Sequence, residues 1–330
     1  MSFKQIAGLV ALIGLGAASG AVAQISTINS AVIIPRYYND ITNASLTVVS
    51  NYPALISFDY ENVYTTNPAF ADRSVWQFGR TGSTPGSTSV PYLFGNNDAF
   101  TITMDVTLSG GPTAPRKEAG IVFNNPINDG GEFIVDSDGH EFVAFGGFLP
   151  FYAFPRNFNL GDTVTMGLTI YKDSSGSNAI VYFAKTATTC LESPPQFFSN
   201  LEQGVIPGTK IGGYIAVQNC CPSNPTNNGT VVFQNIRIGP PDQDFDGVPD
   251  SEDACPGTPP CTLVDANGCS LDQLVPCAGP ASGGTWKNHG QYVAAVAQAV
   301  EKFLAEGFIN QNQAEAIVAE ATQSTCGSKK

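Results

Sequence analysis

The stretch Phe100-Thr-Ile-Thr-Met-Asp-Val-Thr-Leu108 alternates apolar and polar residues without interruption. Successive side chains of a β-strand point to opposite faces, so this period of two predicts a strand with one buried face. The run from Val164 to Ile170 repeats the alternation, and the run from Val231 to Ile238 does so less regularly. Shorter runs predict further strands at 46–49, 55–63, 74–78, 120–123, 132–135, 141–145, 180–184 and 211–217.

Short strands of this kind, about a dozen in number and separated by Gly, Pro, Asn and Ser, are typical of a sandwich or a barrel. We therefore predict a mainly β protein in which residues 24–238 form an antiparallel β-sandwich. The dipeptide Asp138-Gly139 lies between two of the predicted strands. It predicts a tight hairpin, because these residue types accept the backbone angles of short turns.

The composition changes abruptly at Gly239-Pro240-Pro241, a cluster of residues that break regular structure. We place a domain boundary there. The rest of the chain divides by composition into an acidic, cysteine-rich segment at 239–277, a Gly, Ser and Pro linker at 278–284 and a tail at 285–330 with apolar residues at helical spacing.

The tail predicts a helical hairpin. Gly307 is placed to end the first helix, and Asn312 followed by Glu315 resembles a capping box at the start of the second. So small a helix pair cannot bury its apolar faces without help. Because Cys277 and Cys326 bracket the pair, we predict that a disulfide between them closes it.

The segment from Asp242 to Asp253 carries six acidic residues, with oxygen donors at positions 1, 3, 5, 9 and 12 and a glycine at position 6. Calcium loops use this spacing to surround the ion, and position 7 supplies a main-chain carbonyl. The predicted ligands are Asp242, Asp244, Asp246, the carbonyl of Val248, Asp250 and Asp253. Without a counter-ion these carboxylates repel one another, so we expect Ca²⁺ as a cofactor on which the folded loop depends.

The loop is followed by Cys255-Pro-Gly-Thr-Pro and then by Val264-Asp-Ala-Asn-Gly-Cys269. With these residues, the stretch from 242 to 269 resembles a thrombospondin type 3 repeat of bacterial type. The resemblance implies calcium binding by the acidic residues, a stiff spacer, a role in cell-surface adhesion and a Cys255–Cys269 disulfide. Cys261 is an additional cysteine, and its partner is left open. An EF-hand or a dockerin would match the loop alone, but both need a helix directly after it.

Residues 1–23 have the pattern of a secretory signal peptide, with a basic start, an apolar run and Ala21-Val-Ala23 as the cleavage site. We predict cleavage after Ala23 and a secreted or cell-surface location. The apolar run is too short to span a bilayer and no later stretch comes close, so we expect no retained membrane anchor. Export fits the eight cysteines, of which Cys190, Cys220 and Cys221 have no assigned partner.

The formal net charge is -13, and between Gly239 and Trp286 there are eight acidic residues and no Lys or Arg. This excludes the basic footprint of a nucleic-acid-binding protein and makes divalent cations the expected partner. Zinc ligation by the cysteines is the alternative to disulfides. The two histidines and the signal peptide weigh against it.

The strand pattern of residues 24–238, closed by Phe233-Gln-Asn-Ile-Arg-Ile238, resembles the jelly-roll sandwiches of concanavalin-like lectins and glucanases. That resemblance implies a carbohydrate binder or a glycoside hydrolase. Hydrolases of this fold usually carry Glu-x-Asp-x-x-Glu on one strand, and that motif is absent here. The best remaining carboxylates are Glu118, Glu132, Asp136 and Glu141, for which we favour surface salt bridges to Arg116 and Lys117 over catalysis.

We predict no catalytic residues. His140 and His289 have no nucleophile near them in sequence, so we expect them to make local hydrogen bonds. The segment from Asp136 to His140 lacks the first ligand of a calcium loop, and turn chemistry is the expected explanation. Aromatic residues that could stack on sugars are four within 146–155 and also Tyr37, Tyr38, Trp76 and Tyr92. Core packing gives the same pattern, and we favour it.

These observations lead us to expect a secreted, non-enzymatic, calcium-binding protein of the cell surface or matrix, with a role in adhesion or carbohydrate recognition. The expected partners are calcium and a glycan or another surface protein. The alternative is a polysaccharide-active enzyme, a hydrolase or a lyase, on the same sandwich. A third possibility is a structural envelope component that neither binds nor cleaves glycans.

Overall fold

The computed structural model describes residues 25–65, 70–82, 84, 87–127, 129–199, 204–219 and 225–328. The predicted signal peptide and the cysteines at 220 and 221 lie outside the described residues. The described strands are β1 (Ser30–Asn39), β2 (Ser45–Asn51), β3 (Leu55–Val63), β4 (Ala71–Thr81), β5 (Ser89–Pro91), β6 (Phe100–Ser109), β7 (Lys117–Asn124), β8 (Asp129–Asp136), β9 (Phe142–Gly146), β10 (Tyr152–Ala153), β11 (Thr163–Lys172), β12 (Asn178–Lys185), β13 (Cys190–Glu192), β14 (Gln196–Phe197), β15 (Lys210–Gln218) and β16 (Asn227–Gly239).

These strands form two antiparallel sheets of eight strands each, packed face to face. The first sheet has the order β1-β4-β15-β7-β8-β9-β10, with β5 paired to β4. The second has the order β13-β12-β11-β6-β16-β3-β2, with β14 paired to β12. The predicted mainly β class and the antiparallel sandwich are confirmed.

Alternation decides which side chains enter the space between the sheets. Phe100, Ile102, Met104, Val106 and Leu108 of β6 are all fully buried, as the opening pattern predicts. The other predicted runs also lie in strands, although β9 begins one residue later than expected. The sequence did not predict β1, in which a bulge shifts the register, or the shortest strands, which are too short to show a period.

Aromatic rings fill much of the core. Trp76 of the first sheet meets Phe233 of the second edge to face, with ring centroids 5.8 Å apart. Gly213 on β15 makes room for this contact, because a Cβ at that position would lie 2.4 Å from Nε1 of Trp76. Since Trp76 and Tyr92 are both buried, the core interpretation of these two residues is correct.

Three helices follow the acidic segment, α1 (Leu271–Leu274), α2 (His289–Ala305) and α3 (Gln311–Gln323). Helix α2 ends as predicted at Gly307, whose φ of 80° lies in the left-handed region that glycine tolerates. The Gly307 and Phe308 N–H groups donate to the carbonyls of Leu304 and Phe303, which completes a Schellman motif. Among the described residues, no helix has both the length and the apolar character needed to cross a membrane.

The predicted capping box of α3 is wrong by two residues. Asn310, not Asn312, caps the helix, and its side chain accepts a hydrogen bond from the backbone N–H of Gln313. The Gln313 side chain in turn accepts from the Asn310 N–H, so the pair satisfies two donors at the helix start. Asn312 and Glu315 lie inside the helix.

The described cysteines form three disulfides, Cys190–Cys261, Cys255–Cys269 and Cys277–Cys326. The third is the one predicted to close the helical tail, and the second is the pairing implied by the thrombospondin resemblance. The first identifies the partner of Cys261, which the sequence left open, and it joins β13 of the sandwich to the acidic segment. This segment is therefore tied to the second sheet and does not extend away from the sandwich as a free spacer.

Candidate functional site

The acidic loop, residues 242–253, lies on the outer face of the second sheet, which is the face turned away from the first sheet. The main chain of Asp242 is held by two threonines of that face. Its N–H donates to the Thr101 hydroxyl at 2.8 Å, and its carbonyl accepts from the Thr169 hydroxyl at 2.6 Å. Three residues later, the ring of Phe245 stacks on Phe183 with centroids 4.9 Å apart. These contacts position the carboxylates of the loop.

Three of the predicted ligands converge. Asp242, Asp244 and Asp246 each offer a carboxylate oxygen, and these oxygens lie within 4.8 Å of one another. Each side chain is oriented by backbone N–H groups that donate to one of its oxygens. The donors are Gly247 to Asp242, Val248 to Asp246, and Gly257 with Thr258 to Asp244.

The remaining oxygens have the character of cation ligands. Oδ1 of Asp242 and Oδ2 of Asp246 are buried and have no hydrogen-bond partner. Burial, together with repulsion between the neighbouring carboxylates, raises the pKa of Asp242 to about 7 and that of Asp246 to about 6. A cluster that holds protons so strongly gains most from a cation that replaces them, and an all-oxygen donor set suits a hard ion such as Ca²⁺.

The other predicted ligands differ in position. The charge of Asp253, and after it that of Asp250, adds to the raised pKa of Asp246, and Oδ1 of Asp253 accepts from the Cys255 N–H. Both oxygens of Asp250 instead accept from Gln243, one from its backbone and one from its side chain, so the structure does not bring Asp250 into the group of three. Val248, whose carbonyl was predicted as a ligand, contacts the cluster through its N–H, which donates to Oδ1 of Asp246.

A second candidate site lies on the outer face of the first sheet, the face turned away from the second sheet. The strand order brings together Arg73 on β4, Tyr214 on β15 and Glu132 on β8. Nη2 of Arg73 lies 2.7 Å from Oε1 of Glu132, and the Tyr214 hydroxyl donates to Oε2 at 3.1 Å. The Arg73 guanidinium also lies 4.3 Å from the centroid of the Tyr214 ring, within the range of a cation–π contact.

Glu118 on β7 completes this charged cluster. Burial, and then the charge of Glu132, raise the pKa of Glu118 above its usual value, although Arg116 and Arg73 oppose the shift. Burial likewise raises the pKa of Tyr214 well above its usual value. Both carboxyl groups of the cluster lie beside arginines, Glu118 beside Arg116 and Glu132 beside Arg73, and the pKa of Glu118 is raised. A carboxyl group with a raised pKa is suited to donating a proton in general acid–base catalysis.

Arg116 connects most of the carboxylates that the sequence singled out. It forms ion pairs with Glu118 at 2.9 Å, Asp136 at 3.0 Å, Asp138 at 3.4 Å and Glu141 at 3.9 Å. The predicted pairing with Arg116 is therefore correct for Glu118, Asp136 and Glu141, whereas Glu132 pairs with Arg73. The predicted surface position is wrong for Asp136, which is fully buried, and for Glu132, which is 8% exposed.

The predicted role of Lys117 as a surface ion-pair partner is also wrong. Its side chain is fully buried, and Nζ donates to Oδ1 of Asn227 at 2.8 Å and to the Pro112 carbonyl. Lys117 and Glu118 are consecutive on β7, so their side chains point to opposite faces of the sheet. Only Glu118 can join the cluster on the outer face.

A groove of about 360 Å³ opens between β9 and the segment that follows it, and Arg116, the ion-pair partner of Glu118, is the residue that links it to the cluster. The side chains that give it its character are Val143, Phe145 and Phe151, which are apolar, and Arg116, Glu141 and Arg156, which are polar. Phe151 is 68% exposed, whereas Phe148 and Phe154 in the same aromatic segment are buried. The core interpretation therefore fails for Phe151. It also fails for Tyr38 on β1, which is 52% exposed.

Both histidines make local hydrogen bonds, as expected. Nδ1 of His140 lies 2.8 Å from the Phe158 carbonyl, and the His289 ring contacts the carbonyls of Cys326 and Thr322 at 2.8 and 3.1 Å. The hairpin between β8 and β9 has the expected turn chemistry, since the Gly139 N–H donates to Oδ1 of Asp136. It spans more residues than the tight turn predicted from Asp138-Gly139.

No family model matches the chain, and no curated protein matches it. The thrombospondin assignment therefore stays a prediction. Several solved structures have a similar sandwich. An alginate lyase from Corynebacterium sp. has a TM-score of 0.41 at 12% identity over 66% of this chain and 96% of that chain. The lectin UEA-II complexed with galactose has 0.31 at 7% identity over 64% and 99%. These likenesses are too weak to carry an inference about function.

Proposed function

We propose that this is a secreted protein whose sandwich acts on a polysaccharide at the outer face of the first sheet. The observation that carries the proposal is the groove in which the exposed ring of Phe151 lies beside Arg116 and Glu141. Sugar rings are recognised by apolar faces that stack on them and by planar polar side chains at their edges. The disulfides, which persist in oxidising compartments, support secretion.

Cleavage of the polysaccharide is the better supported form of this proposal, and it replaces the non-enzymatic role favoured from sequence. The reason is that Glu118 and Glu132 lie in one buried cluster with Arg73 and Tyr214, where surface salt bridges were expected. Perturbed titratable groups beside a groove are a common mark of active sites. We assign Glu118 as the proton donor and Glu132 as the carboxylate partner. Binding without cleavage is the second candidate, because both carboxylates are already paired with arginines.

The test is to incubate the full chain with a panel of neutral and acidic polysaccharides and to measure new reducing ends and unsaturated products. We expect Glu118→Gln and Glu132→Gln to lower the rate on the order of a hundredfold, because each removes an acid or base group. Glu61→Gln, on the exposed part of β3, is the matched control. Retention of a glycan without products would support binding alone, and neither result on any glycan would refute the proposal.

We also propose that the acidic loop binds Ca²⁺ through Asp242, Asp244 and Asp246, with Asp253 beside them. The two unpartnered oxygens and the raised pKa values of Asp242 and Asp246 support this assignment. The ion would supply the positive charge that these carboxylates need in order to remain ionised at neutral pH. An affinity on the order of 10⁻⁴ to 10⁻³ M is expected, as in other extracellular calcium modules.

Calorimetric titration with CaCl₂ tests this site. Asp246→Ala should abolish most of the uptake while the strand content seen by far-UV circular dichroism is retained. Asp250→Asn should weaken it less, because the structure turns that carboxylate towards Gln243. Asp272→Asn, exposed on α1, is the control. Unchanged uptake by Asp246→Ala would remove that residue from the ligand set.

A further inference from the structure

We propose that the β-sandwich supplies positioning residues for the calcium site, so that the affinity for the ion depends on the outer face of the second sheet. This inference rests on the proposed calcium site and extends it to residues outside the acidic loop. The residues are Thr101, Thr169 and Phe183, together with Phe245 of the loop itself.

The first anchor is a cross-strand threonine pair. Thr101 on β6 and Thr169 on β11 lie opposite each other, with their hydroxyl oxygens 2.7 Å apart. Both contact the main chain of Asp242, the first residue of the loop, and both are buried. Because the N–H and the carbonyl of Asp242 are both engaged, the direction in which its carboxylate leaves the backbone is determined by the sheet.

The second anchor is Phe245, which stands between two of the converging carboxylates, Asp244 and Asp246. Its φ of 54° lies in the left-handed region, which is unfavourable for a bulky side chain. The stacked contact with Phe183 holds the residue in this conformation, with the two ring planes at 19°. Gly167 on β11 leaves space for the ring, since a Cβ there would lie 3.1 Å from Cε1 of Phe245.

Both anchors therefore act on the geometry of the carboxylates and not on the ion. A loop released from the sheet must be ordered at the moment of binding, which lowers its affinity. Linkage is reciprocal, so an ion that binds the docked loop better than the released loop also stabilises the docked state. Calcium should then raise the melting temperature of the whole chain and not only order the loop.

The sequence contains a matched control for the threonine pair. Thr107 and Thr163 lie opposite each other on the same two strands, with hydroxyl oxygens also 2.7 Å apart, but this pair is exposed. Thr169→Val and Thr163→Val thus each remove one threonine hydroxyl from β11. They differ in whether that hydroxyl holds the loop.

The experiment is calorimetric titration of the full chain with CaCl₂, together with thermal unfolding with and without the ion. We expect Thr169→Val to weaken calcium binding about tenfold and to reduce the calcium-dependent rise in melting temperature, with Thr163→Val like the wild type. Phe245→Ala should weaken binding at least as much, and it keeps the inference testable if Thr169→Val does not fold. Wild-type affinity in both Thr169→Val and Phe245→Ala would overturn the inference while leaving the calcium site intact. Absence of uptake by the wild type would overturn the calcium site itself.

Discussion

Raising the pH from 8 to 9.5 is expected to stabilise the wild-type chain relative to a Lys117→Met variant. Lys117 is fully buried, and its ammonium group contacts neutral oxygens of Asn227 and Pro112. Burial lowers the pKa of Lys117 from 10.5 to about 8. Between these two values the unfolded chain binds more protons than the folded chain, so the free energy of unfolding rises with pH in this window.

The magnitude follows from the two pKa values. A difference of about 2.5 in pKa corresponds to roughly 3.4 kcal/mol in total, of which about 1.5 kcal/mol falls between pH 8 and 9.5. Buried tyrosines act in the opposite direction, because burial raises the pKa of Tyr52, Tyr60 and Tyr92 to about 12 and the unfolded chain loses these protons first. The wild type and the variant share the tyrosines, so their difference isolates Lys117.

Urea unfolding at several pH values and constant calcium measures this difference. Methionine keeps the unbranched stem of Lys117, which packs beside Gly229, and removes only the charge and the donors. Lys185→Met, at an exposed position at the end of β12, serves as the control. The free energy of unfolding of the wild type minus that of Lys117→Met should rise by about 1.5 kcal/mol between pH 8 and 9.5. The corresponding difference for Lys185→Met should not change with pH. A gap independent of pH would mean that water solvates the ammonium group, and the burial argument would be refuted.

Three further changes test other contacts. Replacing Cys190 and Cys261 by Ser opens a link across 71 residues, so unfolding by urea should need up to about 4 kcal/mol less and the acidic segment should be cut sooner by protease; no change in either would mean that the other contacts suffice. Phe151→Ala should weaken glycan retention on an affinity column at an unchanged melting temperature, and full retention would remove this ring from the site. Gly213→Ala should destabilise the chain by about 1–3 kcal/mol through overpacking against Trp76, measured by thermal unfolding; a wild-type melting temperature would contradict that close approach.

The fold could be predicted because its signal is local. In Phe100–Leu108 the period of two is visible in nine consecutive residues, and burial follows it except at Thr101, which is buried although it lies on the outer face. The same rule predicts the burial of Lys117, which lies on the same face of β7 as the buried Ala119 and Ile121. Its charge and its charged neighbours hid that signal, because a lysine is rarely buried without an ionic partner. The Schellman end at Gly307 was likewise predictable from one residue, whereas the N-cap of the next helix was not, since several asparagines and glutamines there satisfy the same pattern.

The sites divide in the same way. The convergence of Asp242, Asp244 and Asp246 follows from spacing within one loop, so the sequence predicted it. The outer-face cluster needs the strand order β4-β15-β7-β8, which joins Arg73 to Glu132 across strands far apart in the chain. Spacing carries no information on such an order, and the same is true of the Cys190–Cys261 disulfide.

The outer faces of the two sheets are occupied differently, and this bears on where a polysaccharide can bind. On the second sheet, the acidic loop covers Thr101, Thr169 and Phe183, and its carboxylates repel an acidic glycan. On the first sheet, Arg116 lines a groove with several apolar side chains, and Arg73 is paired with Glu132. Because these two faces are on opposite sides of one packed core, the proposed calcium site and the proposed glycan groove share no residues. Any effect of calcium on the proposed glycan groove is therefore expected to come through the stability of the sandwich and not through direct contact.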